Sequence, residues 1–347
     1  MSLQNIVSML GIEDPVELDK LFEEAYETKL KYVGNKVYLR GLIEFSNICD
    51  KNCYYCGIRR DSSSVNRYEM SKQEAVEEGL WAFKNRYGSV VIQAGERTDR
   101  TFISTITEII KELREKSDGW LGITLSLGEQ ERETYEEWFA TGAHRYLLRV
   151  ETTNKELYKK CHPQSQSFEK RVEALNILKE TGYQVGTGVM IGLPGQTLED
   201  LANDILFFKE FDIDMIGMGP YIVHSDTPFS KIRNLNKPED NLVLGLKMIA
   251  ATRLTLKDVN IASTTALQTL APDGREMGLK AGANVIMPNV TETKYREFYS
   301  LYNDKPNTDE NAETARVSLE KSIETIGETI GYEEWGDSPH FFKRTNA

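Results

Sequence analysis

The 347-residue chain has only four cysteines, and three of them fall between residues 49 and 56. Cysteines so few and so clustered make no disulfide framework, so a reducing, cytoplasmic setting is expected. There is no run of about 18 apolar residues, so no transmembrane helix is expected. Met1 to Gly11 lacks the basic start and small-residue cleavage site of a secretory signal. Positive charge is in deficit: 42 Lys and Arg stand against 54 Asp and Glu, a net charge of −12. That field opposes nucleic acid and anionic membranes as partners, although it leaves room for a local basic patch. Low-complexity segments and recognisable repeats are also missing.

The pattern that remains is one of alternation. Asp14 before Pro15 reads as a helix N-cap, followed by Val16, Leu18, Leu21, Phe22 and Ala25 at helical spacing. A first strand is expected over 37–45. Helix-like stretches at 71–86, 103–116, 131–140, 168–181, 198–210, 239–255 and 274–281 then precede apolar strands at 89–93, 122–126, 146–150, 185–190, 214–219, 260–264 and 284–287. Eight strands alternating with helices predict an α/β fold with a parallel sheet, closed as a single (β/α)8 TIM barrel. The alternative is an open barrel of six units with the last two strands packed elsewhere. No domain boundary is evident. Residues 1–36 are expected to be a helical extension, 37–290 the barrel and 291–347 a C-terminal extension, with a polar loop at 303–313, a helix near 314–328 and a polar tail.

In such a barrel the chemistry collects where the strands end. The first strand runs into Cys49-Asp50-Lys51-Asn52-Cys53-Tyr54-Tyr55-Cys56, a C-x3-C-x2-C loop. Three thiolates this close suit three irons of a four-iron, four-sulfur cube, with the fourth iron left open for a ligand. The alternatives are a zinc site completed by a distant His, or plain buried thiols; zinc sites more often show paired C-x2-C spacings. The spacing, and the aromatic Tyr55 before the last cysteine, match the signature of radical S-adenosylmethionine (SAM) enzymes.

Further stretches narrow the resemblance. Ile43 to Asn47, Cys56 to Asp61, Leu125 to Glu129, Arg145 to Arg149, Gly192 to Thr197, His224 to Pro228 and Gly282 to Asn289 together resemble the HydE family, radical SAM maturases of [FeFe]-hydrogenase, from about residue 30 to 300. Methylornithine synthase and, further off, biotin synthase are near relatives. The resemblance implies one [4Fe-4S] cluster on Cys49, Cys53 and Cys56, whose open iron is chelated by the amino and carboxylate groups of SAM. It places Tyr55, Gly95, Glu96, Glu151, Arg171 and Met190 around SAM. Ser126, Arg149, Thr264 and Thr265 are expected to face the substrate, Arg149 because a buried cation at a strand end needs an anion. Bland readings stand beside these. Gly95 could be a tight turn, Ser126 a strand-end hydroxyl on backbone, and Arg171, from its helical position alone, a solvated surface residue. His224, Tyr295 and Tyr299 are weaker candidates, and Cys161-His162 reads as incidental.

The substrate so implied is a small cysteine-bound iron carbonyl cyanide, with other hydrogenase maturases, a scaffold protein and a ferredoxin or flavodoxin electron donor as partners. Some family members carry a second cysteine group, C-x7-C-x2-C, near the C-terminus. Here the last two of its positions fall near Ala315 and Ser318, and no cysteine follows Cys161, so no auxiliary cluster is expected. That leaves an amino-acid mutase of the methylornithine synthase type as the alternative activity.

Overall fold

A computed structural model describes residues 1–233, 235–306 and 308–345. Eleven strands occur among them: β1 (Lys36–Ser46), β2 (Ser89–Ala94), β3 (Gly122–Ser126), β4 (Arg145–Leu147), β5 (Gln184–Thr187), β6 (Met190–Ile191), β7 (Met215–Ile216), β8 (Gly219–Pro220), β9 (Asn260–Ser263), β10 (Val285–Ile286) and β11 (Thr329–Ile330). The order β1-β2-β3-β4-β5-β7-β9-β10 returns to β1 through Tyr38↔Val285 and Leu39↔Ile286, every pairing parallel. The barrel is therefore closed with eight strands, and the open six-unit alternative is ruled out.

The intervening helices form for local reasons. Asp14 accepts hydrogen bonds from the Val16 and Glu17 amides and starts Pro15–Tyr32. Reciprocal capping boxes, Ser71 with Glu74 and Thr197 with Asp200, start Lys72–Lys84 and Leu198–Glu210. In Arg100–Lys116 the buried side chains are Phe102, Ile103, Ile106, Ile109, Ile110 and Leu113, a single stripe facing the sheet. Each such aliphatic side chain, once buried, contributes about 1.5–3 kcal/mol. No helix among the described residues is long and apolar enough to cross a membrane.

Three sequence expectations shift. The strands expected over 185–190 and 214–219 each divide, giving β5 then β6 and β7 then β8; β6 and β8 pair with each other at the mouth, apart from the barrel ladder. The break falls at Gly188, where a Cβ would run into the Gly217 carbonyl, so the two chains cross at glycine-only distance. The strand expected at 146–150 is regular only over Arg145–Leu147. Beyond it, the Leu148 amide donates to the Gly186 carbonyl (2.9 Å) and the Glu151 amide to the Gly188 carbonyl (3.0 Å).

The expected polar tail is instead structural. β11 pairs with β1 at Lys36↔Thr329, and residues 335–338 close the N-terminal end of the barrel. There Arg145 donates to Asp337 (2.5 Å) and the Trp335 carbonyl (2.9 Å), and both Arg40 (3.1 Å) and Asn260 (2.8 Å) donate to the Gly336 carbonyl. Short helices at Leu3–Leu10, Lys155–Cys161, Thr265–Leu270, Thr293–Arg296 and Pro339–Thr345 were also unmarked by periodicity. The last docks through His340, whose ring meets Asp258 (3.2 Å) and Asp212 (2.8 Å).

These bonds to Asp258 and Asp212 outweigh burial and raise the His340 pKa. Stability from this proton is complete below the unfolded value of about 6.5 and is lost as pH rises through the higher folded value. Thermal midpoints at about pH 5.5 and about pH 8.5 should therefore fall further with pH in the parent than in His340→Gln. Equal slopes would remove His340 from the docking.

Candidate active site at the barrel mouth

β1 ends at Ser46, and the cysteine loop turns across the open end of the barrel, tied to β2 and to the following helices. The Asp50 amide donates to the Glu96 carbonyl (2.8 Å), the Tyr54 amide to the Cys161 carbonyl (2.9 Å) and the Arg60 amide to the Lys51 carbonyl (2.7 Å). The Glu96 amide donates to Cys49 Sγ (3.3 Å), and Gln166 Nε2 lies 3.5 Å from Cys53 Sγ. Gly95 serves this approach. A Cβ there would strike the Ile48 carbonyl and sit 2.8 Å from Cys49 Cβ, so the residue is needed for close backbone packing rather than for a turn.

Cys49, Cys53 and Cys56 all line one cavity of about 640 Å3, in the usual range for a small-molecule site. Burial pushes the Cys49 thiol up to about 11, raises Cys53 and carries Cys56 well above its usual value, where neighbouring thiols raise it further. Three thiolates here thus require metal charge beside them. Three cysteines on one cavity, each free to hold its own iron, fit a cube.

The same cavity is lined by the residues that the resemblance places around SAM and the substrate: Tyr55, Gly95, Glu96, Ser126, Arg149, Glu151, Arg171, Met190, Thr264 and Thr265. Arg171 is not a surface residue. It is buried, with Nε on Glu129 (2.6 Å) and Nη1 on the Arg149 carbonyl (2.7 Å). Lys51 bridges Glu96 (2.9 Å) and Glu129 (3.1 Å), completing a four-charge network under the cysteine loop. Burial raises the Glu96 pKa, with Arg171 and Lys51 opposing; at Glu129 the same two cations overcome burial and lower it.

Arg149 Nη2 lies 3.0 Å from Glu151 Oε2 and donates to the Val189 carbonyl (2.8 Å). Burial raises the Glu151 pKa against the pull of Arg149 and Arg171. Arg149 Nε and Thr264 Oγ1 are enclosed without a hydrogen-bond partner among the described residues, while Glu151 Oε2 has Arg149 as its ion-pair partner. The Thr265 hydroxyl is already engaged by Arg275 (3.1 Å). Deeper in, Glu44 accepts from Lys305 (2.5 Å) and Asn289 (2.9 Å). Tyr299 also lines the cavity, with its hydroxyl accepting from Gln93 (3.1 Å). His224 and Tyr295 do not line it; His224 Nδ1 accepts the Asp226 amide (3.1 Å) in a turn, and Tyr295 donates to Glu74 (2.9 Å).

Sequence reasoning missed Lys51 and Glu129 and set His162 aside. Glu129 carried a signal, because Gly128-Glu129 after β3 repeats Gly95-Glu96 after β2. His162 is not incidental. Its Nδ1 meets the Tyr158 carbonyl (2.9 Å) and its Nε2 meets the Tyr55 hydroxyl (3.2 Å). Burial lowers its pKa to about 4, so Nδ1–H donates and Nε2 accepts.

The radical SAM superfamily profile matches residues 43–208. Over 335 residues the chain is 45% identical to the [FeFe] hydrogenase maturase subunit HydE of Thermotoga maritima, covering 96% of this chain and 93% of that one. The chain belongs to the HydE family of radical SAM enzymes. The 3-methylornithine synthase of Methanosarcina acetivorans stands further off, at 28% identity over 82% of this chain and 79% of that protein. Among solved structures, methylornithine synthase (PylB) superposes with a TM-score of 0.81 at 24% identity, covering 96% of this chain and 94% of that one. The maturase HydG from Carboxydothermus hydrogenoformans gives 0.79 at 21%, over 96% of this chain and 76% of that one. These two likenesses establish the shared fold. Membership of the HydE family brings with it a [4Fe-4S] cluster and SAM.

Proposed function

We propose that this chain acts in building the dinuclear iron subcluster of [FeFe]-hydrogenase, with a small cysteine-bound iron carbonyl cyanide complex as substrate. The observation that carries the reading is the 45% identity to HydE across 96% of the chain, against 28% to methylornithine synthase. One cluster sits on Cys49, Cys53 and Cys56. Ala315 and Ser318 also line the cavity and offer no thiolate for a second one. Held by those three thiolates, the cluster would supply the one electron for reductive cleavage of the SAM sulfonium, and so the radical chemistry of the site.

The chain's own residues bind, orient and shield. Arg171, its Nε and Nη1 engaged by Glu129 and the Arg149 carbonyl, offers Nη2 to the SAM carboxylate. The Gly95-Glu96 turn receives the amino group, and Glu151 takes a ribose hydroxyl. Tyr55, its hydroxyl held by His162, and Met190 wall the adenosyl group and exclude water. Arg149, partly exposed on the cavity, and Thr264 face a carboxylate-bearing substrate; Thr265 and Ser126 complete that wall. Other maturases and a scaffold protein are the partners, with a ferredoxin or flavodoxin as donor in a reducing cytoplasm.

The test is incubation of the reconstituted, reduced protein and SAM with either a synthetic cysteine iron carbonyl cyanide complex or lysine. Conversion of the iron complex, together with restored maturation in a host lacking its own HydE, is expected. A rearranged lysine with no change in the iron complex would transfer the chain to the mutase class.

A further inference from the structure

Glu151 takes φ +65°, the left-handed region that a residue with a side chain keeps only where its surroundings over-determine it. Its amide donates to the Gly188 carbonyl (3.0 Å) and its carbonyl accepts from the Met190 amide (2.9 Å), so the backbone is pinned on the barrel side. On the other side the pin comes from a distant element. The Thr153 amide (2.7 Å) and hydroxyl (2.5 Å) both donate to Asp204 Oδ1. Asn154 Nδ2 donates to Asp200 Oδ1 (2.7 Å). Asp200 and Asp204 lie one turn apart on helix Leu198–Glu210 and together grip the two residues that follow the Glu151 turn.

Asp204 is 0% exposed, and its second oxygen has no hydrogen-bond partner among the described residues. Burial pushes its carboxyl up to about 7. A wholly buried acid with an orphaned oxygen is a costly way to hold a loop. Capping the next helix does not explain it either, because the Asn154 side chain does that work on the Glu156 (3.0 Å) and Leu157 (3.1 Å) amides.

We propose that Asp204 is a positioning residue for SAM binding, holding Glu151 in its left-handed turn so that the carboxylate faces the cavity. This rests on the reading of Glu151 as a SAM contact. Asp204 lies outside the cavity lining and acts only through the Thr153 clamp.

A double-mutant cycle on the reconstituted holoenzyme tests it, reading the SAM dissociation constant by equilibrium dialysis and, in parallel, the thermal midpoint. Asp204→Ala should weaken SAM binding about tenfold in the parent background and less than about twofold in Glu151→Gln, because coupled residues are not additive. Asp204→Asn, which keeps an acceptor facing Thr153, should recover most of the loss. Equal weakening in both backgrounds would make Asp204 purely structural and overturn the proposal, as would no weakening in either. If Asp204→Ala fails to fold, Thr153→Val removes only one donor and should show the same dependence on Glu151, with additivity again counting against it. Parent-like SAM binding by Glu151→Gln would overturn both this inference and the reading of Glu151. Failure of hydrogenase maturation with the cycle intact would strike the proposed substrate alone.

Discussion

Replacing Cys53 by Ala is expected to abolish the cube and bring SAM cleavage to background. Cys53 is one of only three thiols on the cavity, and with two left no cluster of this kind has enough ligands to persist. The loss should not come from unfolding. The cysteine loop is held by backbone bonds of Asp50, Tyr54 and Arg60 that do not involve the Cys53 side chain, and the barrel core lies below it. Cys161→Ala is the matched control. That thiol is buried among Leu157, Met190, Leu193, Tyr221 and Phe229, so its removal should cost about 1 kcal/mol of stability while cleavage continues. Iron and sulfide content, the electron paramagnetic resonance spectrum with and without SAM, and the 5′-deoxyadenosine yield check both variants. A Cys53→Ala protein that keeps a cube and full cleavage would defeat the assignment of the ligands.

Periodicity made the eight βα units readable because each helix writes its buried stripe into the local sequence, as Ile103, Ile106, Ile110 and Leu113 do. Closure was not readable in that way. It depends on two residue pairs between β1 and β10, some 247 positions apart, and β10 is only two residues long. The C-terminal plug was invisible for a different reason. Trp335, Gly336 and Asp337 show no apolar period; they matter because Arg40 and Arg145 are buried at the barrel floor and need acceptors. The site divides along the same line. Strand ends after apolar runs pointed to Ser126, Arg149 and Glu151, and the cysteine spacing pointed to itself. Partnerships across the mouth, such as Lys51 with Glu129 and Arg171 with Glu129, join side chains 78 and 42 residues apart. A helical position told nothing of the depth at which Arg171 lies.

Removing Arg149 separates the two halves of the site. Its side chain is half-buried, spans Glu151 and the Val189 carbonyl, and keeps an enclosed Nε without a hydrogen-bond partner among the described residues. With 32% of its side chain exposed on a cavity of small-molecule size, Arg149 is suited to an anionic group on the substrate. A hydrogen bond to a charged group of this kind is worth about 1.5–3 kcal/mol. Arg149→Ala should therefore lower kcat/KM for the substrate by about 10- to 150-fold. Binding of the cluster depends on residues Arg149 does not touch, so iron content should match the parent. SAM cleavage without substrate should stay within a few-fold, since Arg171 remains as a cation near Glu151. Arg149→Lys should rescue little, because a single ammonium cannot serve Glu151, the Val189 carbonyl and a substrate carboxylate with the geometry of a planar fork. If cleavage without substrate falls as far as substrate turnover, Arg149 belongs to the SAM half of the cavity, and the anion-binding wall must be sought around Thr264 alone.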